Sequence, residues 1–396
     1  MTSAPKEDDS TPPPRIGLLV LVVSILALVS LFSQNAYVLP RDKTGGIRAF
    51  TIALTVTYEN RNSEGAVWNL AEDDRTIGLF MNNSWQTVYL IRTSLSVGGF
   101  ETDTDGNPIG FLSFPRSAIH SGENLTFEAR YKIVLKPRSV PRISEEGSAK
   151  LTDIPENLRE LYSGSGGPWL LDEPELVDLA HEIVGNETKA LTIVAKFIAW
   201  IRDNIRYETA DLPRYPNETL LGKTGDCDDQ ANLLVTMCRI IGIPAYLQVG
   251  CIYLPSRPPE VYRYWDGSLL VNLTRIGWHG WAMVYVPPWG WLPVDLTYVS
   301  SINLRADPLN AIRISAVVAY PTVQYANITR TDYVAASRMK RDFLLSNGFR
   351  IVEHDLMDEE TARLGTATAN AGFSVSLVAL LAASLAASFT GSPKRP

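Results

Sequence analysis

The stretch GDCDDQANLLVTMCRIIGIPAYLQVG (225–250) decides how this chain is read. Ala231, Leu234, Val235, Cys238 and Ile241 recur at helical spacing, and Gly242 with Pro244 shortly after marks the stop. Cys227 therefore heads a helix, directly after a glycine turn. Unpaired backbone N–H groups and the helix dipole at that position favour a thiolate. The same groups, the Cys227 N–H among them, can hold an oxyanion formed during acyl transfer. Asp226, Asp228 and Asp229 act the other way, because buried or nearby negative charge opposes a second anion. A neighbouring imidazolium would have to offset them. Read by themselves, Asp228 and Asp229 are first-turn helix carboxylates, and Cys238 and Cys251 are core residues.

Downstream, GWHGWAMVYVPPWGWLPVDLTYV (277–299) supplies the partners. His279, Trp281, Met283 and Tyr285 alternate along one strand face. A three-residue loop at Pro287 to Trp289 would pair Val286 with Gly290 and turn the chain back. His279 and Asp295 then share a face as diagonal neighbours, within side-chain reach. A one-residue slip would separate them. A helix-tip cysteine, a strand histidine and a strand carboxylate are the parts of a nucleophile, base and orienter relay.

GDC at a helix head, then H-x-W, then W-x-P-V-D-x-T resembles the transglutaminase-like superfamily, most strongly over residues 150 to 300. The resemblance implies an α+β, papain-like core in which the cysteine helix packs on an antiparallel sheet carrying the histidine and aspartate. It assigns Cys227 as nucleophile, His279 as base and Asp295 as orienter. The family's common H-A-W is H-G-W here, a change that leaves the imidazole in place. The resemblance also puts an aromatic near the oxyanion, for which Tyr207 is the candidate. Trp278 and Trp281 are candidates for an acyl-donor cleft, with aromatic strand packing as the plain alternative. The chemistry requires no cofactor and no metal.

Composition narrows the class. Hydrophobic residues make up 45% and charged residues 20%, so the bulk is globular. With 36 Lys and Arg against 43 Asp and Glu, the formal charge is −7, which argues against nucleic acid as a partner. Three cysteines cannot make a disulfide framework, and four scattered histidines make no structural zinc site.

The expected organisation runs as follows along the chain. Residues 1–15 are a polar, proline-rich, disordered cytoplasmic tail. Residues 16–33 (IGLLVLVVSILALVSLFS) carry no charge and read as a transmembrane anchor. Residues 47–137 alternate at period two, with Phe50, Ile52, Leu54, Val56 and Tyr58 on one face, and read as a β-sandwich domain. Residues 138–170 are a Pro/Gly/Ser-rich linker, and 171–330 the catalytic domain, within which LNAIRISAVVAY (309–320) is expected to add strand. Residues 331–370 form a helical, polar connector. Residues 372–389 make a second, milder span, and 390–396, with Lys394 and Arg395, a cytoplasmic tail.

The N-x-S/T sequons at Asn82, Asn124, Asn186, Asn217, Asn272 and Asn327 all lie between the two spans, as an external glycosylated domain requires. The expectation is a cell-membrane protein with an extracellular cysteine protease, amidase or acyltransferase domain. Its partners would be the lipid bilayer and a protein or peptide substrate, including cell-envelope proteins. The alternative is a catalytically silent surface protein that uses the same fold for binding or envelope assembly.

Overall fold

The computed structural model describes residues 46–360. The expected spans at 16–33 and 372–389, and the tails 1–15 and 390–396, lie outside the described residues. Among the described residues no helix is long and apolar enough to cross a membrane.

The described chain begins with strands: β1 (Arg48–Asn60), β2 (Trp68–Asn69), β3 (Thr76–Gly78), β4 (Gln86–Thr93), β5 (Val97–Thr102), β6 (Pro108–Leu112), β7 (Ala118–Ile119) and β8 (Asn124–Leu135). The alternation of β1 is answered by that of β8, where Phe127, Ala129, Tyr131 and Ile133 are buried opposite Val56, Leu54, Ile52 and Phe50. One apolar face per strand and directly opposed pairs are what hold such a sheet.

Helices follow: α1 (Glu156–Tyr162), α2 (Pro174–Val184), α3 (Ala190–Asn204), α4 (Pro216–Gly222) and α5 (Cys227–Ile240), with the short strands β9 (Arg206–Tyr207) and β10 (Thr224–Gly225) between them. Strands β11 (Ala245–Tyr253), β12 (Glu260–Tyr264), β13 (Leu269–Thr274), β14 (Ile276–Val286) and β15 (Gly290–Val294) come next. The chain then forms α6 (Ser301–Ala306), α7 (Asn310–Arg313), α8 (Ala316–Ala319), β16 (Thr322–Ile328), α9 (Tyr333–Asn347) and β17 (Phe349–Glu359).

Two main sheets result. One runs β15-β14-β11-β16, with α5 packed against β14 and β11. The other runs β12-β13-β17-β1-β8-β4. The strands expected over 47–137 are present, but their main sheet does not end with them. Strand β17 pairs antiparallel with β1 on one side and parallel with β13 on the other. Period-two alternation identifies the buried face of a strand, not its neighbours, so this long-range closure left no mark in the local pattern.

Three further expectations are corrected. Residues 309–320 are helical where strand was expected: α7 and α8 are short helices, α8 preceded by the N-cap Ser315. The segment expected as a linker contains α1, whose Tyr162 packs on Tyr246 and Trp291. The connector, expected to be helical, has its helix α9, but its described part also contains β17, an interior strand of the six-stranded sheet.

Helix α5 is buried on every side. Leu233, Leu234, Val235, Met237 and Cys238 are joined in the interior by Asn232, Thr236 and Arg239. The Arg239 guanidinium donates to the carbonyls of Ala245, Gly164 and Thr329 and stacks 3.8 Å from the Trp169 ring centre. Burial pushes its pKa down to about 9. The helix that presents Cys227 is thus tied to two distant segments of chain, around residues 164–169 and at residue 329.

Candidate active site

Asp226 is the N-cap of α5 in an extended conformation, and Cys227 is the first helical residue. The turn is held from both sides. Asp229 accepts from the Asp226 N–H at 3.3 Å and from the Arg214 N–H at 2.7 Å. A Cβ on Gly225 would lie 2.7 Å from the Asp229 Cβ, so only glycine permits this approach.

His279 projects from β14. The hairpin has the expected register, with Val286 opposite Gly290 and Ala282 opposite Val294. One residue beyond that ladder, Asp295 accepts from His279 Nε2 at 2.9 Å, both side chains 1% exposed. Asp295 also accepts from the N–H groups of Ala316 at 2.9 Å and Tyr298 at 3.1 Å. Burial opposes its ionisation, but the His279 imidazole and these N–H donors overcome it and hold its pKa below the usual carboxylate value. The ring sits between Trp281 and Tyr298, with centroids 5.9 and 5.8 Å away.

Cys227 meets β14 where the β15 ladder has ended. Its Sγ accepts from the Gly280 N–H at 3.4 Å. His279 Nδ1, the ring nitrogen not engaged by Asp295, is buried without a hydrogen-bond partner. The thiol is almost completely buried. Desolvation pushes its pKa well up, Asp228 and Asp226 add to this, and the Gly280 N–H opposes them. Burial and the flanking carboxylates thus oppose the thiolate that the helix head favours.

Tyr207 lies on β9, paired in parallel with β10 so that it stands beside Gly225. Burial raises its hydroxyl pKa, with the charges of Cys227, Asp226, Asp228 and Asp229 as further causes, which puts it in the same neighbourhood.

Of the two readings open for Trp278 and Trp281, a cleft or strand packing, the structure shows packing. Trp278 is wholly buried, donating to Asp355 at 2.8 Å and stacked on Phe80. It points to the face of β14 opposite His279, as strand alternation demands. Trp281 shares the His279 face, but it is also buried, with its indole N–H on Gln248 at 3.1 Å. Neither lines an open cleft in this structure.

Of the sequons, Asn82, Asn124 and Asn186 are exposed, while Asn217, Asn272 and Asn327 are half-buried. The Asn327 side chain accepts from Gln248, and that of Asn272 donates to the Glu353 carbonyl. All three cysteines are free and buried, so no bridge joins Cys238 to Cys251. Asp226, Cys227 and Asp228 bring three metal-ligand-type atoms within 4.8 Å of one another.

Sequence reasoning missed three contributors: the Ala316 and Tyr298 N–H groups on Asp295, and Tyr333, which donates to Asp228. Backbone donors carry no side-chain signature, and Tyr333 sits in an ordinary helical run.

No curated protein matches the sequence. Among solved structures, a candidate cysteine protease from Cytophaga hutchinsonii is similar at 17% identity and a TM-score of 0.45, over 83% of this chain and 95% of that one. The periplasmic domain of TgpA from Pseudomonas aeruginosa, bound to ethylmercury, is similar at 14% identity and a TM-score of 0.30, over 67% of this chain and 92% of that one. The transglutaminase-like superfamily matches residues 177–296, a span that begins in α2 and ends one residue past Asp295.

Proposed function

We propose that this chain is a cysteine acyl-transfer enzyme acting on protein carboxamide or peptide bonds, with Cys227 as nucleophile, His279 as base and Asp295 as orienter. The observation that carries the reading is the buried His279–Asp295 pair at 2.9 Å, with Nδ1 unengaged and Cys227 Sγ on the next residue's N–H. With Nε2 on Asp295, Nδ1 is the nitrogen available to the thiol. It takes the S–H proton as sulfur attacks the carbonyl carbon. The Cys227 N–H and the Tyr207 hydroxyl stabilise the tetrahedral oxyanion. The C–N bond then breaks, His279 protonates the departing amine, and a thioester remains. Water releases an acid in the protease or amidase reaction, and a substrate amine gives a new amide in the crosslinking reaction.

We place this domain outside the cell, anchored in the lipid bilayer through residues 16–33 and 372–389 and facing envelope proteins as substrates. The exposed sequons at Asn82, Asn124 and Asn186 are the glycan sites that fit this placement. One observation favours a silent binding protein instead: burial and two neighbouring carboxylates suppress ionisation of Cys227.

Alkylation of the full chain with iodoacetamide across pH 4 to 9, with mass spectrometry to assign the cysteine, separates the two. The enzyme reading expects a substrate-like peptide amide to acylate Cys227, trapped by hydroxylamine, and His279→Ala to abolish trapping. Alkylation like that of an ordinary thiol of pKa ~8.5, unchanged in His279→Ala and with no trapped acyl group, overturns it.

A further inference from the structure

The group that faces the Cys227 thiol most directly from its own helix is Asp228. Its Oδ1 lies 3.9 Å from Sγ, while its Oδ2 accepts from the Tyr333 hydroxyl at 2.7 Å. Tyr333 is the first residue of α9, beyond the span that matches the superfamily, and its side chain is fully buried. Its oxygen accepts in turn from the Asn232 side-chain amide on α5.

The direction of this chain follows from proton counting. A tyrosine hydroxyl has one proton, and its neighbours here are an amide and a carboxyl group. With Asn232 Nδ2 donating to the phenol oxygen, the single proton goes to Asp228, and Asp228 must accept it. An accepted hydrogen bond stabilises the ionised form of a buried carboxyl. Asp226 lies beside Asp228, also buried, and its Oδ1 has no partner. Two adjoining buried carboxyls cannot both ionise cheaply, so the one with the hydroxyl donor keeps the charge and Asp226 keeps the proton.

We infer that Asn232 and Tyr333 are positioning residues that hold a carboxylate charge on Asp228 and thereby keep Cys227 a thiol in the resting protein. The inference deepens the proposed catalytic role of Cys227, since it names what restrains that nucleophile. The other titratable groups facing the thiol are Asp226 and Asp229 at the head of α5, Tyr207 from β9, and His279 with Asp295 from the β14–β15 hairpin. Arg214 lies 3.8 Å from Asp229 and balances that carboxylate, not Asp228. Helix α9 is itself fixed on α4, through Tyr215 donating to Asp332 at 2.9 Å and the Arg338–Glu218 ion pair at 2.6 Å. The restraint on the nucleophile is thus delivered by a segment outside the superfamily span.

The test is the pH midpoint of Cys227 alkylation in the full chain, read peptide by peptide, for wild type, Tyr333→Phe, Asp228→Asn and the double variant. Tyr333→Phe removes the donor, lets Asp228 bind a proton, and should lower the midpoint by about one unit, about tenfold faster alkylation at pH 7. Asp228→Asn removes the charge outright and should lower it at least as far, with no further change in the double variant. A midpoint in Tyr333→Phe that stays at the wild-type value or rises overturns the inference. So does a full additive shift in the double variant. If Tyr333→Phe does not fold, Asp228→Asn decides alone, and an unmoved midpoint overturns the inference. This readout needs no substrate. Loss of acyl trapping in Cys227→Ala speaks to catalysis, so the two ideas fail independently.

Discussion

Asp355 occupies the interior face of β17, where the Trp278 indole donates to it at 2.8 Å. Burial raises its pKa to about 7, and the indole only partly offsets this. In the unfolded chain an aspartate ionises near ~3.9. Between those two values the folded protein binds more protons than the unfolded one, so Asp355 makes stability fall as pH rises through that window. Asp355→Asn keeps an acceptor for the indole and removes the titration. The loss of Tm between pH 4.5 and pH 8 should therefore shrink in the variant, measured by thermal unfolding. An identical Tm difference in both proteins would show that Asp355 ionises without cost. At this scale the shared strand face of His279 and Asp295 was legible in the sequence, while Trp278 stood open between a cleft and strand packing, and the structure packs it. The face of a strand is legible from parity, but aromatic residues on both faces of a fully buried strand give no sign of which one approaches solvent.

Strand β11 shows the same point for an element. All nine of its residues are buried, because β14 and β16 pair along its two edges and layers cover its faces. Gly250 stands opposite His279, at a register shift in the β16 ladder. A Cβ there would lie 2.2 Å from the Val323 carbonyl oxygen and 2.8 Å from the Trp281 ring. Neither can yield without moving the backbone of β16 or the tryptophan that flanks the imidazole. Gly250→Ala should cost about 1–3 kcal/mol in denaturant unfolding. It should also weaken acyl trapping at Cys227, since Trp281 would shift. A variant as stable as wild type would mean that β16 moves freely. Nothing in a sequence announces such a glycine, since the atom that excludes a side chain comes from residue 323.

For the whole molecule, β17 is the decisive strand. It is the last segment of the described chain, yet it lies between β1 and β13 and buries Phe349, Ile351 and Met357. Its removal would leave β1 and β13 each with a bare edge and an uncovered apolar face. A chain ending at residue 348 should lose cooperative unfolding and become sensitive to protease, whereas one ending at residue 360 should not. Protease resistance of the shorter chain equal to that of the longer would show that the N-terminal strands and the superfamily span are separable units.

The sequence by itself determined the helix at Cys227, the hairpin register that sets His279 beside Asp295, and the one-sided strands of 47–137. All of these follow from periodicity and turn chemistry within a few tens of residues. Only the tertiary structure decided that β17 joins the N-terminal strands to β13, that Ala316 and Tyr298 steady Asp295, and that Tyr333 reaches Asp228. The longest of those contacts join residues more than a hundred positions apart, and all are selected by burial and by the need to satisfy buried polar groups. That selection acts on the assembled core, not on any local stretch of chain.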